Sequence, residues 1–199
     1  TIEKLFKGLI FNLDKSKFDI NVFYFDNGKG FSDEFLENEK KDNLKNLQLP
    51  KLFKDQINLI LKQNLDIIFY PDIGMSSRLY YLPFLRLAKF QITSWGHPET
   101  TGNPNVDYFL SSKLLEIDTQ EAQKHYSEKL ILCDYLPMYL KKPNIKKLDD
   151  RELKSNNIYS CPQTLFKLHP DFDKVIHEIL TKDKKAKIFF IKDKNGTFY

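Results

Sequence analysis

Cysteine is nearly absent from this sequence: Cys133 and Cys161 are the two present in 199 residues. They show no metal-ligand spacing and no dense disulfide framework of the secreted kind. They read as two buried or idle thiols in a reducing, cytoplasmic compartment. Long hydrophobic runs are also missing, and none approaches the roughly 20 residues of a membrane-spanning helix. Residues 1–19 are charged and amphipathic, and are not expected to be a secretory signal peptide. Charge of one sign does not dominate, because the net charge is only +4. Arg is scarce and Lys is scattered, unlike the clustered basic face of a nucleic-acid binder. Glycine is sparse, at seven residues, and no GxGxxG, Walker loop or GxSxG occurs. That weighs against dehydrogenases, P-loop NTPases and α/β-hydrolases.

What is present is a globular composition, 41% hydrophobic and 29% charged. The length suits one large domain or one and a half smaller ones. The chain opens without Met in a helical pattern and stops just after a strand pattern, so a piece of a longer protein is expected.

Residues 2–13 place Ile2, Leu5, Phe6, Leu9 and Ile10 on one helical face. Aromatic and β-branched residues 18–26 predict a strand. Residues 27–43 are polar and predict a loop with a short helix at most. Pro50 is expected to open a helix with Leu52, Phe53, Ile57, Ile60 and Leu61 as its apolar stripe. The apolar run 65–70, LDIIFY, predicts a strand covered on both faces. Residues 78–88 are helical in pattern, with Pro83 shortening or kinking the helix; their aromatic residues read as core rather than as a partner groove. Strands follow at 90–94 and 106–112, then a short helix capped by Asp118 or Thr119, and a strand at 129–134.

The texture then changes. Residues 136–156 carry Pro and Lys runs and little periodicity, and read as a linker. Strand, helix and strand follow at 158–161, 172–180 and 186–191. Alternating strands and helices predict an α/β fold with parallel sheets, in two Rossmann-like lobes: residues 1–135, and the opening β-α-β of a second lobe within 157–199. In such folds ligands sit outside the C-terminal ends of the strands.

Three loops leave such ends and hold most of the unusual residues. After strand 90–94 comes WGHPETTGNP. Trp95 offers a flat apolar wall with one donor, Gly96 permits close approach, and His97 exchanges a proton near neutral pH. Pro98 stiffens the loop, and Thr100 and Thr101 add hydroxyls. The mix suits a sugar or nucleotide; the alternative is a structural turn with Trp95 in the core. After strand 65–70, Asp72 and Gly74 stand where a hydroxyl can be bound, although Asp72 suits equally a helix cap near Ser76. After strand 158–161, Gln163 and Thr164 are hydrogen-bonding groups. Lys167 lies just before a helix whose N-terminus attracts anions, with Pro170 at its first position. It is either a phosphate contact or a solvated surface Lys.

Four motifs in one order, LDIIFYPDIGM, FQITSWGHPETTGNPNVDYFLSS, HYSEKLI and CPQTLFKLHPDFDKVIHEIL, together resemble the catalytic region of the O-linked N-acetylglucosamine transferase family. The bacterial relatives, including asparagine-hexose transferases, share the pattern. The resemblance runs from about Phe18 to Ile191. It implies a GT-B architecture, a UDP-sugar donor, a protein or peptide acceptor and no metal. In that family the second lobe's helix-start loop binds the uridine diphosphate. Lys167 matches the lysine that neutralises the leaving diphosphate, with Gln163 and Thr164 beside it, and Trp95, Gly96, His97 and Pro98 line the sugar pocket. The human-type enzyme carries a Tyr at the His97 position. The family's proposed catalytic His lies upstream of Thr1 and its His- and Thr-rich donor motif beyond Tyr199. The resemblance therefore implies half an active site and an inactive fragment. A non-catalytic binding module, and a GT-B enzyme acting on lipid or cell-wall glycans, are the alternatives.

Overall fold

The computed structural model describes residues 2–25, 44–116, 118–140 and 157–192. The chain divides into two compact units, Thr1–Lys142 and Pro143–Tyr199. The expected loop at 27–43 and most of the expected linker lie outside the described residues.

The first unit opens with helix α1, Ile2–Asn12. Of its expected apolar face only Phe6 is fully buried, edge-on to Phe69 with ring centroids 5.4 Å apart. Gly8 is buried because the segment after the last strand of this unit crosses the helix there. Tyr139 N–H donates to the Leu5 carbonyl at 3.1 Å, and a side chain at Gly8 would run into the Tyr139 ring. Lys15 Nζ donates to the carbonyls of Ile10, Phe11 and Leu13 at 2.6, 3.2 and 3.1 Å. It thereby satisfies carbonyls that the helix end leaves without partners.

Strand β1, Asn21–Tyr24, pairs in parallel with β2, Lys45–Gln48. The sequence reading contains no strand at β2. Its residues, KNLQ, are mostly polar, and the burial signal sits in the flanking Leu44 and Leu49, each 5% exposed. Helix α2, Phe53–Leu61, begins later than Pro50 suggested. Pro50 instead offers its carbonyl to Gln56 Nε2 at 2.8 Å. Ile60 is buried and Ile57 packs on the core, while Leu52, Phe53 and Leu61 are exposed.

The centre of the unit is a parallel sheet of β3 Ile67–Tyr70, β4 Phe90–Ser94, β5 Tyr108–Ser112 and β6 Lys129–Cys133, in that order. Because every pair is parallel, the C-terminal ends Tyr70, Ser94, Ser112 and Cys133 share one edge. In β3, Ile68 and Tyr70 are buried and Ile67 is exposed, so one face is fully covered rather than both. Helix α3, Ser77–Tyr80, gives way to a short 3-10 turn, Leu82–Phe84, at Pro83. Proline has no amide hydrogen and cannot continue the α-helix. Leu82, Leu87 and Ala88 from this stretch join Leu49, Ile60, Ile68, Tyr70, Ile73 and Val106 in the core, whereas Tyr80, Tyr81 and Phe84 are exposed. Asp118 caps helix α4, Thr119–Gln123, accepting from the backbone N–H of Gln120 and Glu121 at 2.8 and 3.1 Å.

Parallel neighbours need a crossover, usually a helix. Between β4 and β5 the described chain forms none, and residues 95–107 cross over as a loop held by side chains. Gln91, fully buried, donates from Nε2 to the carbonyls of Pro83 and Asn105 at 3.0 and 2.6 Å. Asp107 accepts from Gln91 N at 2.7 Å and from Arg86 Nη1 at 2.6 Å. Burial works against the Asp107 charge, but these donors hold its carboxyl below the usual range. Midway, Glu128, only 1% exposed, accepts from Thr100 Oγ1 at 2.7 Å, from Thr101 N at 2.8 Å and from the Thr101 hydroxyl.

The second unit contains β7 Asn157–Cys161, helix α5 Phe172–Lys182 and β8 Ala186–Phe190. The strands are parallel, so this is one βα-β turn of an α/β fold. In α5, Phe172, Ile176 and Ile179 are half-buried, and Val175 and Leu180 are exposed.

Candidate functional site

The C-terminal edge of the four-stranded sheet carries the loops in which most candidate residues lie. After β3, Asp72 to Met75 form a tight turn, closed by Met75 N–H to the Asp72 carbonyl at 3.1 Å. Gly74 occupies its third position with φ +100°, the left-handed conformation such a turn requires. Asp72 is 9% exposed, and burial raises its carboxyl above the ordinary value of 3.8. It is not a helix cap: Ser76 occupies the N-cap of α3.

After β4, the chain turns directly against this loop. Gly96 packs on Pro71 and Asp72 so tightly that an added Cβ would overlap the Pro71 carbonyl oxygen. The His97 ring lies over Gly74, where an added Cβ would sit 3.4 Å from Cδ2 and 3.7 Å from Nδ1. Asp72, Gly74, Gly96 and His97, drawn from two segments of the sequence, therefore meet at one place. His97 is half-buried, and among the described residues its ring makes no hydrogen bond. Its nitrogens are left to donate, accept or carry a proton. Pro98 is exposed beside it.

Trp95 is half-buried, and its Nε1 donates to Ser111 Oγ at 3.1 Å. Ser111 in turn donates to Glu116 Oε1 at 2.7 Å, which also accepts from Tyr126 OH at 2.9 Å. The hydroxyls that Thr100 and Thr101 add to the loop are both taken by Glu128. Burial pulls Glu128 upward, but the Thr101 and Thr100 donors outweigh it and its carboxyl lies below the usual 4.5. Sequence reasoning missed Glu116, Glu128 and Gln91. Each reads as an ordinary polar residue, and only the fold brings its partners to it.

In the second unit, Gln163, Thr164 and Lys167 are exposed. Gln163 Oε1 accepts from Thr164 N and Oγ1 at 3.0 and 3.2 Å. Lys167 ends a 3-10 turn, Leu165–Lys167, separate from α5. Pro170 is not at the first position of α5, which begins at Phe172. Asp171 precedes it, with Lys174 at 2.8 Å. Among the described residues no three of His, Cys, Asp and Glu gather to hold a metal ion, and no helix is long and apolar enough to cross a membrane.

No protein-family model matches the chain, and no curated protein matches its sequence. Among solved structures it is similar to a point mutant of the O-GlcNAc transferase of Thermobaculum terrenum. The TM-score is 0.76 at 17% identity, covering 95% of this chain and 35% of that one. The chain has the fold of part of a GT-B glycosyltransferase. At this identity the likeness is one of fold, and the chain spans about a third of its neighbour's length. In a fold of this kind the C-terminal sheet edge is where ligands bind. That is the edge at which His97 and Asp72 lie.

Proposed function

We propose that this chain is part of a metal-independent glycosyltransferase that moves GlcNAc or hexose from a UDP-sugar to Ser, Thr or Asn of a protein. The supporting observation is the meeting of Asp72, Gly74, Gly96 and His97 at the C-terminal sheet edge. In this reading the acceptor oxygen or nitrogen attacks the anomeric carbon, and the bond from that carbon to the diphosphate breaks. The acceptor proton passes to a base, for which His97, whose ring nitrogens have no hydrogen-bond partner among the described residues, is the candidate; Trp95, Asp72 and Pro98 border the sugar. In the second unit Lys167, which Gln163 and Thr164 precede in the same loop, is the candidate for binding a diphosphate through its positive charge.

Calorimetric titration of UDP into the full-length protein tests the reading. Lys167→Ala is expected to abolish the binding seen in the wild type. His97→Ala is expected to leave UDP binding in place and reduce sugar transfer to a peptide by about 100-fold or more. Unchanged UDP affinity in Lys167→Ala removes Lys167 from the site. Transfer to lipid rather than peptide redirects the acceptor assignment.

A further inference from the structure

Trp95 is the only Trp in the sequence. It precedes Gly96, whose backbone is pressed against Asp72, so the main chain on its C-terminal side is fixed. Its indole is fixed separately. Nε1–H donates to Ser111, Ser111 donates to Glu116, and Glu116 accepts from Tyr126 as well. Ser111 is fully buried in β5, and the Tyr126 ring lies on Phe109, itself fully buried, with centroids 4.5 Å apart. The chain of groups thus starts at the sheet edge and ends in the core. Every hydroxyl in it has an acceptor, and the one indole donor is used internally rather than offered to a ligand. Trp95 is half-buried, and with its one donor taken the indole has only ring surface to offer a ligand. A rigid aromatic surface binds a ring compound without the entropic cost of ordering a mobile side chain.

We infer that Ser111, Glu116 and Tyr126 are positioning residues that lock Trp95 as a preset stacking wall for the ring of a nucleotide-sugar. The inference rests on the glycosyltransferase reading above and adds to it three residues that touch no substrate. Glu116 acts by accepting hydrogen bonds. An amide oxygen at the same place accepts from both hydroxyls, so Glu116→Gln preserves the lock and Glu116→Ala breaks it.

The test uses the emission of Trp95 in this chain, with UDP-GlcNAc, UDP and acrylamide as probes. Ser111→Ala and Glu116→Ala are expected to at least double the acrylamide quenching constant, shift emission to the red and weaken UDP-GlcNAc binding about 5- to 10-fold. Glu116→Gln is expected to restore all three to near wild-type values. Tyr126→Phe, a gentler change should either alanine variant fail to fold, is expected to give a partial effect in the same direction. Quenching unchanged in these variants overturns the lock. Raised quenching with wild-type affinity overturns the positioning role, because the network is then structural only. A wild-type chain, and a full-length protein, whose emission and calorimetry respond to neither UDP-GlcNAc nor UDP overturn the glycosyltransferase reading itself. That outcome is distinct from a failure of the lock.

Discussion

Gly96 lies against Asp72 so closely that a Cβ at Gly96 would stand 2.6 Å from Asp72 Cβ and 2.7 Å from its Cα. Two loops leaving adjacent parallel strands are thereby in backbone contact, and His97 is delivered onto Gly74. The neighbour that must yield is main chain, not the end of a flexible side chain. Gly96→Ala is therefore expected to destabilise the first unit by about 1–3 kcal/mol, as overpacking does. Scanning calorimetry checks this, and an unchanged melting temperature would mean the loops stand apart.

Glu128 predicts an acid dependence. Its folded carboxyl lies below the ordinary value near 4.5, so its contribution to stability is complete above that value. The contribution disappears as pH falls through the lower folded value. Glu128→Gln places an amide among three donors and is expected to cost about 1–3 kcal/mol at pH 7. The gap from wild type should narrow steadily below pH 4.5. Denaturant unfolding at pH 7 and pH 3 measures both halves, and a gap independent of pH would remove the carboxylate from the clasp.

Asp72 has the opposite sign. Burial raises its folded carboxyl above 3.8, so the stability it contributes is full below that value and is lost as pH rises through the folded one. At neutral pH the buried charge opposes folding. Asp72→Asn is expected to stabilise the first unit by on the order of 1 kcal/mol, or about 2–4 °C. If the proposed site is correct, the same change lowers sugar transfer in the full-length protein. A loss of stability at pH 7 would mean the carboxylate has favourable partners.

The strands that carry the candidate site were legible because aromatic and β-branched residues cluster in them. FQITS marks β4 at its observed bounds, and LDIIFY and VDYFLSS each contain a shorter strand. β2 was not legible, since KNLQ has no period-2 pattern and its burial falls on Leu44 and Leu49 outside it. Gly96 and His97 at a strand end could be singled out as candidates from residue type alone. The partners that hold Trp95 and Thr101 in the same loop could not. Glu128 lies 27 residues from Thr101, Ser111 lies 16 from Trp95, and nothing local marks either pairing. Helix starts were misjudged where a turn intervened: Pro50 and Pro170 each precede their helix rather than open it. Proline's fixed φ suits the turn as well as the first helical position.

Tyr126 predicts the behaviour at high pH. Burial first, and then the hydrogen bond and charge of Glu116, raise its phenol from 10 to about 12. A neutral phenol donates to Glu116, whereas a phenolate beside that carboxylate is repelled by it, so the folded chain keeps the proton longer than the unfolded chain. The stability this contributes is therefore complete below pH 10 and is lost as pH rises toward about 12. A ¹³C NMR titration of the ring carbon bearing the hydroxyl, read at pH 11, checks this. Tyr126 is expected to remain protonated there. Glu116→Gln removes the charge and keeps the acceptor, so it is expected to lower the Tyr126 midpoint while burial still holds it above 10. A midpoint unmoved by that substitution would leave burial as the sole cause and disconnect Tyr126 from the hydrogen-bond chain that ends at Trp95.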